Sequence, residues 1–252
     1  MKLLHPKDRI LLALGLLGDI WDEARLLGGA VPANYRQLYG WVPPQYQRAN
    51  LYQAVYRLLK TGELEKVVVN GEPCFQLTSA SGKKLIRRFS IFKLQAQPWK
   101  KIWTVGVYDV EEIVRWERKW LMGRFLSLGF GRLQRSVYIS PYDVGEDLKE
   151  MIVAKGLEKK VEIFTQASLA GGHEKVLAWK VWPIEELSQE YKKIVADCLG
   201  ISKLPGRKRK EKIQKTRSCY LDLLLKDPHL PFELLPEDWQ EKETRKLIKS
   251  LS

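Results

Sequence analysis

The segment from Gln45 to Lys60 gathers Gln45, Gln47, Arg48, Asn50, Gln53 and Arg57 and contains no acidic residue. Amide and guanidinium groups of this kind pair with the base edges exposed in the major groove of duplex DNA, Gln or Asn with adenine and Arg with guanine. To act together they must share one face of a rigid rod, and the spacing provides one. Leu51, Ala54, Val55, Leu58 and Leu59 follow i, i+3, i+4, i+7, i+8, which predicts a helix over 45–60 with an apolar stripe toward a core and a polar, aromatic face opposite. Thr61-Gly62 ends it with a glycine suited to a left-handed cap. An amphipathic helix with a merely solvated polar face has the same pattern, so the flanking elements decide between the two.

Directly downstream, Leu64–Val69 reads as a strand, Asn70-Gly71 as a tight turn and Cys74–Leu77 as the returning strand. Upstream, Ile10, Leu11, Leu14 and Leu17 place a helix over 8–17 with Asp8 as its cap, and residues 34–40 form one or two helical turns before Pro43-Pro44. Helix, helix, helix, hairpin is the order of a winged helix-turn-helix. A further helix over 78–89 carries Leu85, Ile86 and Phe89. Lys66, Lys83, Lys84, Arg87 and Arg88 fall where they would meet phosphates, contacts that fix register and make affinity salt-dependent without reading sequence. From Lys83 to Lys101 there are seven basic residues and no acidic one, and 95–98 reads as a linker.

The 252 residues carry a net charge of +13, pointing to a polyanionic partner, although a solubilising surface would look similar. The surplus sits at the ends: 16 basic against 7 acidic residues over 1–101, 14 against 15 over 102–202, and 13 against 8 over 203–252. No eighteen-residue apolar stretch occurs, and the residues from Met1 to Asp8 lack a signal-peptide pattern, so the expectation is a cytoplasmic protein with no membrane contact. Cys74, Cys198 and Cys219 are far apart, with no C-x-x-C pair, and read as buried or incidental thiols. His5, His173 and His229 are isolated, and no hydrolase, metalloprotease or phosphate-loop motif occurs. The basic run Arg207–Lys210 could touch DNA, bind an anionic small molecule, or be a solvated linker.

The centre differs in character. Strands are expected at 103–109, 136–140 and 160–164 and a fourth near 176–181, with helices over 112–128 and 143–154. These make a ferredoxin-like βαββαβ unit. From Ile184 the chain reads as mostly helical. The fold class is therefore α+β, with a winged helix-turn-helix over 1–95, a ferredoxin-like domain over 100–183 and a C-terminal helical domain over 184–252.

Two motifs bear a resemblance. Val107-Tyr108-Asp109-Val110, followed by Gly129-Phe130 and Leu133-Gln134-Arg135-Ser136-Val137-Tyr138, is similar to the small CRISPR-adaptation nuclease subunit, a ferredoxin-like dimer. That resemblance implies homodimerisation and places Asp109 at the position of the family's proposed Mg²⁺-binding aspartate, paired with its copy across the dimer axis. Asp227-Pro228-His229-Leu230-Pro231-Phe232-Glu233-Leu234-Leu235-Pro236-Glu237-Asp238-Trp239 resembles the C-terminal signature of the phenylacetic-acid degradation repressor (PaaX-type) family. Its three prolines fix an extended path, and Leu230, Leu234, Leu235 and Trp239 are expected to pack it down.

Members of that family join a winged helix, a central domain similar to the CRISPR subunit and a helical C-terminal domain. The resemblance implies a dimeric repressor of double-stranded DNA, not an enzyme, released by an acyl-CoA-like thioester whose binding residues no motif identifies. Because Tyr108-Asp109 and the downstream segment stay close to the nuclease pattern, a Mg²⁺-dependent nuclease is the alternative.

Overall fold

Helix α1 (Pro6–Leu17) buries Ile10, Leu11, Leu12, Ala13, Leu14 and Leu16, so it is apolar almost all round and lies inside the protein rather than on it. The computed structural model describes residues 6–18, 31–88, 94, 95, 97–109 and 113–251, with the backbone alone at Pro6 and at 86–88. Its residues gather in two compact units: Met1–Phe89 with Leu187–Asp227 and Trp239–Ser252, and Ser90–Glu186 with Pro228–Asp238. Residues from 187 onward contribute to both units.

In the first unit, α2 (Tyr35–Tyr39) opens with a reciprocal cap: Gln37 N–H donates to Asn34 Oδ1 at 3.0 Å and Asn34 N–H to Gln37 Oε1 at 2.8 Å. Helix α3 (Arg48–Lys60) follows a turn in which Tyr46 N–H donates to the Pro43 carbonyl at 2.8 Å. The helix expected from Gln45 begins three residues later, because Pro43-Pro44 starts a turn and Gln47 is extended at φ −68°, ψ 138°. Strands β1 (Leu64–Val69) and β2 (Glu72–Leu77) pair antiparallel from Leu64 with Leu77 to Val69 with Glu72. Asn70 and Gly71, at φ 51° and 79°, make the turn whose left-handed residues match strand twist. Ala33 bridges Phe75, and α4 (Ser79–Arg88) lays Leu85 on the core. That core joins Ile10, Leu14, Leu38, Leu51, Val55, Leu58, Leu64 and Phe75.

The second unit runs β3 (Trp103–Tyr108), α5 (Arg115–Ser127), β4 (Gly131–Arg132), β5 (Val137–Ser140), α6 (Gly145–Val153) and β6 (Val161–Ala167). The sheet is antiparallel in the order β4-β5-β3-β6. One expected strand is corrected. Residues 176–181 lie in helix α7 (Glu174–Val181), and the sheet's remaining position is taken by the two-residue β4. Gly131 admits this arrangement, since a Cβ there would lie 2.2 Å from Val181 Cγ1 and 2.5 Å from Trp182. Phe125 of α5 stacks on Tyr138 with centroids 4.4 Å apart and meets Phe130 edge-on at 5.1 Å, forming the middle of this core.

Residues 228–238 belong to this second unit. Leu230, Leu234 and Leu235 are buried, and the extended path is held by Tyr142 O–H donating to the His229 carbonyl, Gln95 Nε2 to the Leu230 carbonyl at 2.9 Å and Trp179 Nε1 to the Leu234 carbonyl at 2.9 Å. Trp239 is half-buried in the first unit, edge-on to Tyr191 at 5.1 Å. The first unit also holds Leu187 onward of α8 (Ile184–Ile201), α9 (Gly206–Lys226) and α10 (Glu241–Ser250). Arg9, 2% exposed, ties α1 to α9 through Ser218 Oγ at 3.1 Å and Asp222 Oδ1 at 2.5 Å.

Candidate nucleic-acid interface

Leu51, Val55 and Leu58 face inward at 2%, 0% and 1% exposure, and this fixes what the rest of α3 presents outward. Gln47, Arg48, Asn50, Gln53 and Arg57 are all exposed. Asn50, Gln53 and Arg57, at i, i+3 and i+7, form one stripe along the helix. Gln45 is exposed in the preceding turn and not on the helix. Two residues of this surface were not singled out from the sequence: Tyr52 and Tyr56 are 49% and 65% exposed. Their i, i+4 spacing on the polar side was the available signal. Tyr52 is steadied by Tyr35, whose ring lies 4.4 Å away and in turn meets Phe75 at 4.6 Å.

The electrostatics favour an anion at the start of α3. Its first turn has no acidic residue, and its cap, Gln47, makes no side-chain hydrogen bond, so the helix's first N–H groups and positive dipole end are uncompensated there. Arg48 lies over the Tyr39 ring at 5.0 Å, which holds its guanidinium beside this end. The carboxylates of the neighbouring hairpin are engaged elsewhere. Glu65 accepts from Gln76 Nε2 at 2.7 Å, Glu72 from Asn34 Nδ2 at 2.9 Å, and Glu63 from Lys7 Nζ at 2.7 Å. Burial opposes ionisation of Glu63, but its bonds to Lys7 and Thr61 outweigh that and lower its pKa.

At the hairpin tip Val68 is 71% and Val69 38% exposed, beside the exposed Lys66. Lys83 and Lys84 are exposed on α4. Arg87 and Arg88 fall on the last residues of α4, and their side chains lie outside the described residues. Helix α3, the hairpin and α4 thus bring the expected residues onto one unit, with α3 packed against α1 and β1.

Asp109 stands exposed just past the end of β3. Among the described residues no three His, Cys, Asp or Glu side chains gather as metal ligands. Cys74 and Cys198 are buried and Cys219 is exposed, all three as free thiols. Burial, with Asp197 nearby, pushes the Cys198 thiol up to about 11. Among the described residues no helix is long and apolar enough to cross a membrane.

Comparison with known proteins adds to this geometry. Residues 96–178 match the PaaX protein central Cas2-like domain, and residues 182–252 match the PaaX-like protein C-terminal domain. A solved structure of an uncharacterized protein from Mycobacterium tuberculosis is similar in fold, with a TM-score of 0.56 and 18% identity over 84% of this chain and 87% of that one. No curated protein sequence matches the chain. With the two domain matches running almost end to end from residue 96 onward, the chain belongs to the PaaX family.

Proposed function

We propose that this protein is a sequence-specific DNA-binding transcriptional regulator, a repressor that acts as a homodimer in the cytoplasm and is not an enzyme. In this reading residues 1–95 form a winged helix-turn-helix in which α3 enters the major groove and the β1–β2 hairpin is the wing. Residues 100–183, whose β-α-β-β-α-β order and β4-β5-β3-β6 sheet suit a ferredoxin-like domain, form the dimer. Two copies of α3 then meet successive major grooves of a palindromic site. The family resemblance adds an acyl-CoA-like thioester as the releasing effector.

The observation that carries the reading is the exposed stripe Asn50, Gln53 and Arg57 on a helix whose opposite face is locked into the core. A helix of this kind can follow a groove without unfolding anything. Lys66, Lys83, Lys84, Arg87 and Arg88 supply phosphate contacts in this account, Arg48 reads base edges with Asn50 and Gln53, and Gln45 and Gln47 lie at the edge of the base-reading surface. The test is to select fragments of the source genome that the purified protein retains, with and without aryl- and acyl-CoA thioesters. A few strongly enriched palindromic fragments, released by one thioester, are expected; uniform retention of all fragments contradicts the reading. Mg²⁺ added to the same reactions is expected to leave the fragments intact.

A further inference from the structure

Beside the start of α3 the first unit has an open cleft of about 1200 Å³. One wall is Arg36, Tyr39 and Arg48, and the other is the opening turns of α9, from Gly206 to Arg217. Nine of the side chains around it are Lys or Arg, and one, Glu211, is acidic. Some of these cations have internal work. Arg207 pairs with Glu211 at 2.8 Å, Lys212 with Asp197 at 2.7 Å, and Arg217 lies over the Trp41 ring at 5.0 Å and donates to the Leu251 carbonyl. Lys208, Lys210 and Lys215 are exposed and have no ion-pair partner among the described residues. Arg209 Nε is shielded from solvent and has no hydrogen-bond partner among the described residues.

This charge is arranged against the protein's own stability. Four consecutive cations are the second to fifth residues of a 21-residue helix, at the positive end of its dipole, with no acidic residue in the first turn and no side-chain cap from Pro205. Such a concentration is relieved by an anion lying across it. The cleft is also fixed in place relative to α3. Gln214 Nε2 donates to the Tyr39 carbonyl at 3.0 Å, and the ring of that same Tyr39 carries Arg48.

Two kinds of polyanion fit cations: a small phosphorylated molecule and a nucleic-acid backbone. Small-molecule sites are concave pockets that enclose most of the ligand around a few placed polar groups. This cleft is open, lined chiefly by cations, and continuous with the first residue of α3. We infer that the N-terminal turns of α9 are a second phosphate-binding element, receiving the backbone of the duplex beside the groove that α3 enters, with Lys208, Lys210 and Lys215 as contacts. The inference rests on the DNA-binding reading above and extends the footprint beyond the winged helix.

Fluorescence anisotropy with a 40-base-pair mixed-sequence duplex and with a genome-selected fragment, each from about 50 to 300 mM salt, tests it. In the triple variant Lys208→Gln, Lys210→Gln, Lys215→Gln, the slope of log affinity against log salt is expected to fall by about two to three, since each lost phosphate contact removes about 0.9. Affinity should drop by the same factor on both duplexes, leaving their ratio unchanged. A control that removes equal charge from exposed positions of the second unit, Lys159→Gln, Lys175→Gln, Lys180→Gln, is expected to keep the wild-type slope. An unchanged slope in the α9 variant, or an equal fall in the control, overturns the inference while leaving the DNA-binding reading intact. So does tight binding of tripolyphosphate in the cleft, abolished by the α9 substitutions, with DNA binding unaltered. Failure of the wild-type protein to bind either duplex overturns both.

Discussion

Gln214 donates to the main-chain carbonyl of Tyr39 at 3.0 Å, joining residues 175 positions apart in one unit. With Arg48 stacked over the same Tyr39 ring, the start of α3 and the opening turns of α9 share one rigid reference point. The N-terminal elements of the candidate interface are therefore built together with a helix from the far end of the chain, which contributes packing as well as charge.

The Arg9 connection is expected to carry much of that packing. Arg9→Ala removes a buried guanidinium and leaves Asp222 without its partner, at a cost of roughly 3 kcal/mol. The value sits at the lower end for a broken buried pair because Asp222 keeps 27% of its side chain in water. Denaturant unfolding measures the loss. A cost below about 0.5 kcal/mol, ordinary for a surface substitution, contradicts the connection.

Gly106 of β3 is pressed by Phe125, whose Cε1 would lie 2.4 Å from an added Cβ. Gly106→Ala is expected to destabilise the protein by about 1–3 kcal/mol through overpacking. Adding Phe125→Leu should recover part of that loss, a non-additivity seen between residues in contact. Strict additivity in calorimetry would show that the two do not press on each other.

Acid sensitivity is expected at the start of α5. Lys160 Nζ donates to both oxygens of Glu117, at 3.0 and 2.9 Å, and the Val114 N–H donates to Oε2 at 3.1 Å. The bonds from Lys160, foremost, hold the Glu117 carboxyl below its ordinary 4.5. A carboxylate lowered in the folded state stabilises fully above the unfolded value and loses that contribution as pH falls through the folded one. The difference in melting temperature between wild type and Glu117→Gln should thus be largest near pH 6 and shrink below about pH 4.5. A difference constant down to about pH 3 contradicts this assignment.

The exposed face of α3 and the hairpin after it were legible in the sequence because each element carried its own local signal. The i, i+3, i+4 stripe of α3 dictated its buried face and hence its exposed one, and Asn70-Gly71 announced a turn that needs two left-handed residues. Where local pattern was ambiguous the reading went astray. Val176–Val181, apolar except for Lys180, suits strand or helix equally by periodicity, yet Glu174 and Lys180 sit at the helix ends where the dipole favours them. A two-residue strand such as β4 has no period to detect. The cleft was illegible for a different reason: Arg36 and Lys210 meet only after folding, and nothing local in either segment specifies the other.

The most direct test of the account is base discrimination by α3. Anisotropy titrations of wild type, Asn50→Ala and Gln53→Ala are made against a genome-selected fragment and every single-base-pair change within it. Each variant is expected to lose about 1–3 kcal/mol on the selected fragment, to become indifferent to base identity at one position, and to bind a mixed-sequence duplex as wild type does. Equal losses on every sequence, or a wild-type protein that does not distinguish the fragment from its altered forms, would contradict base reading by this helix.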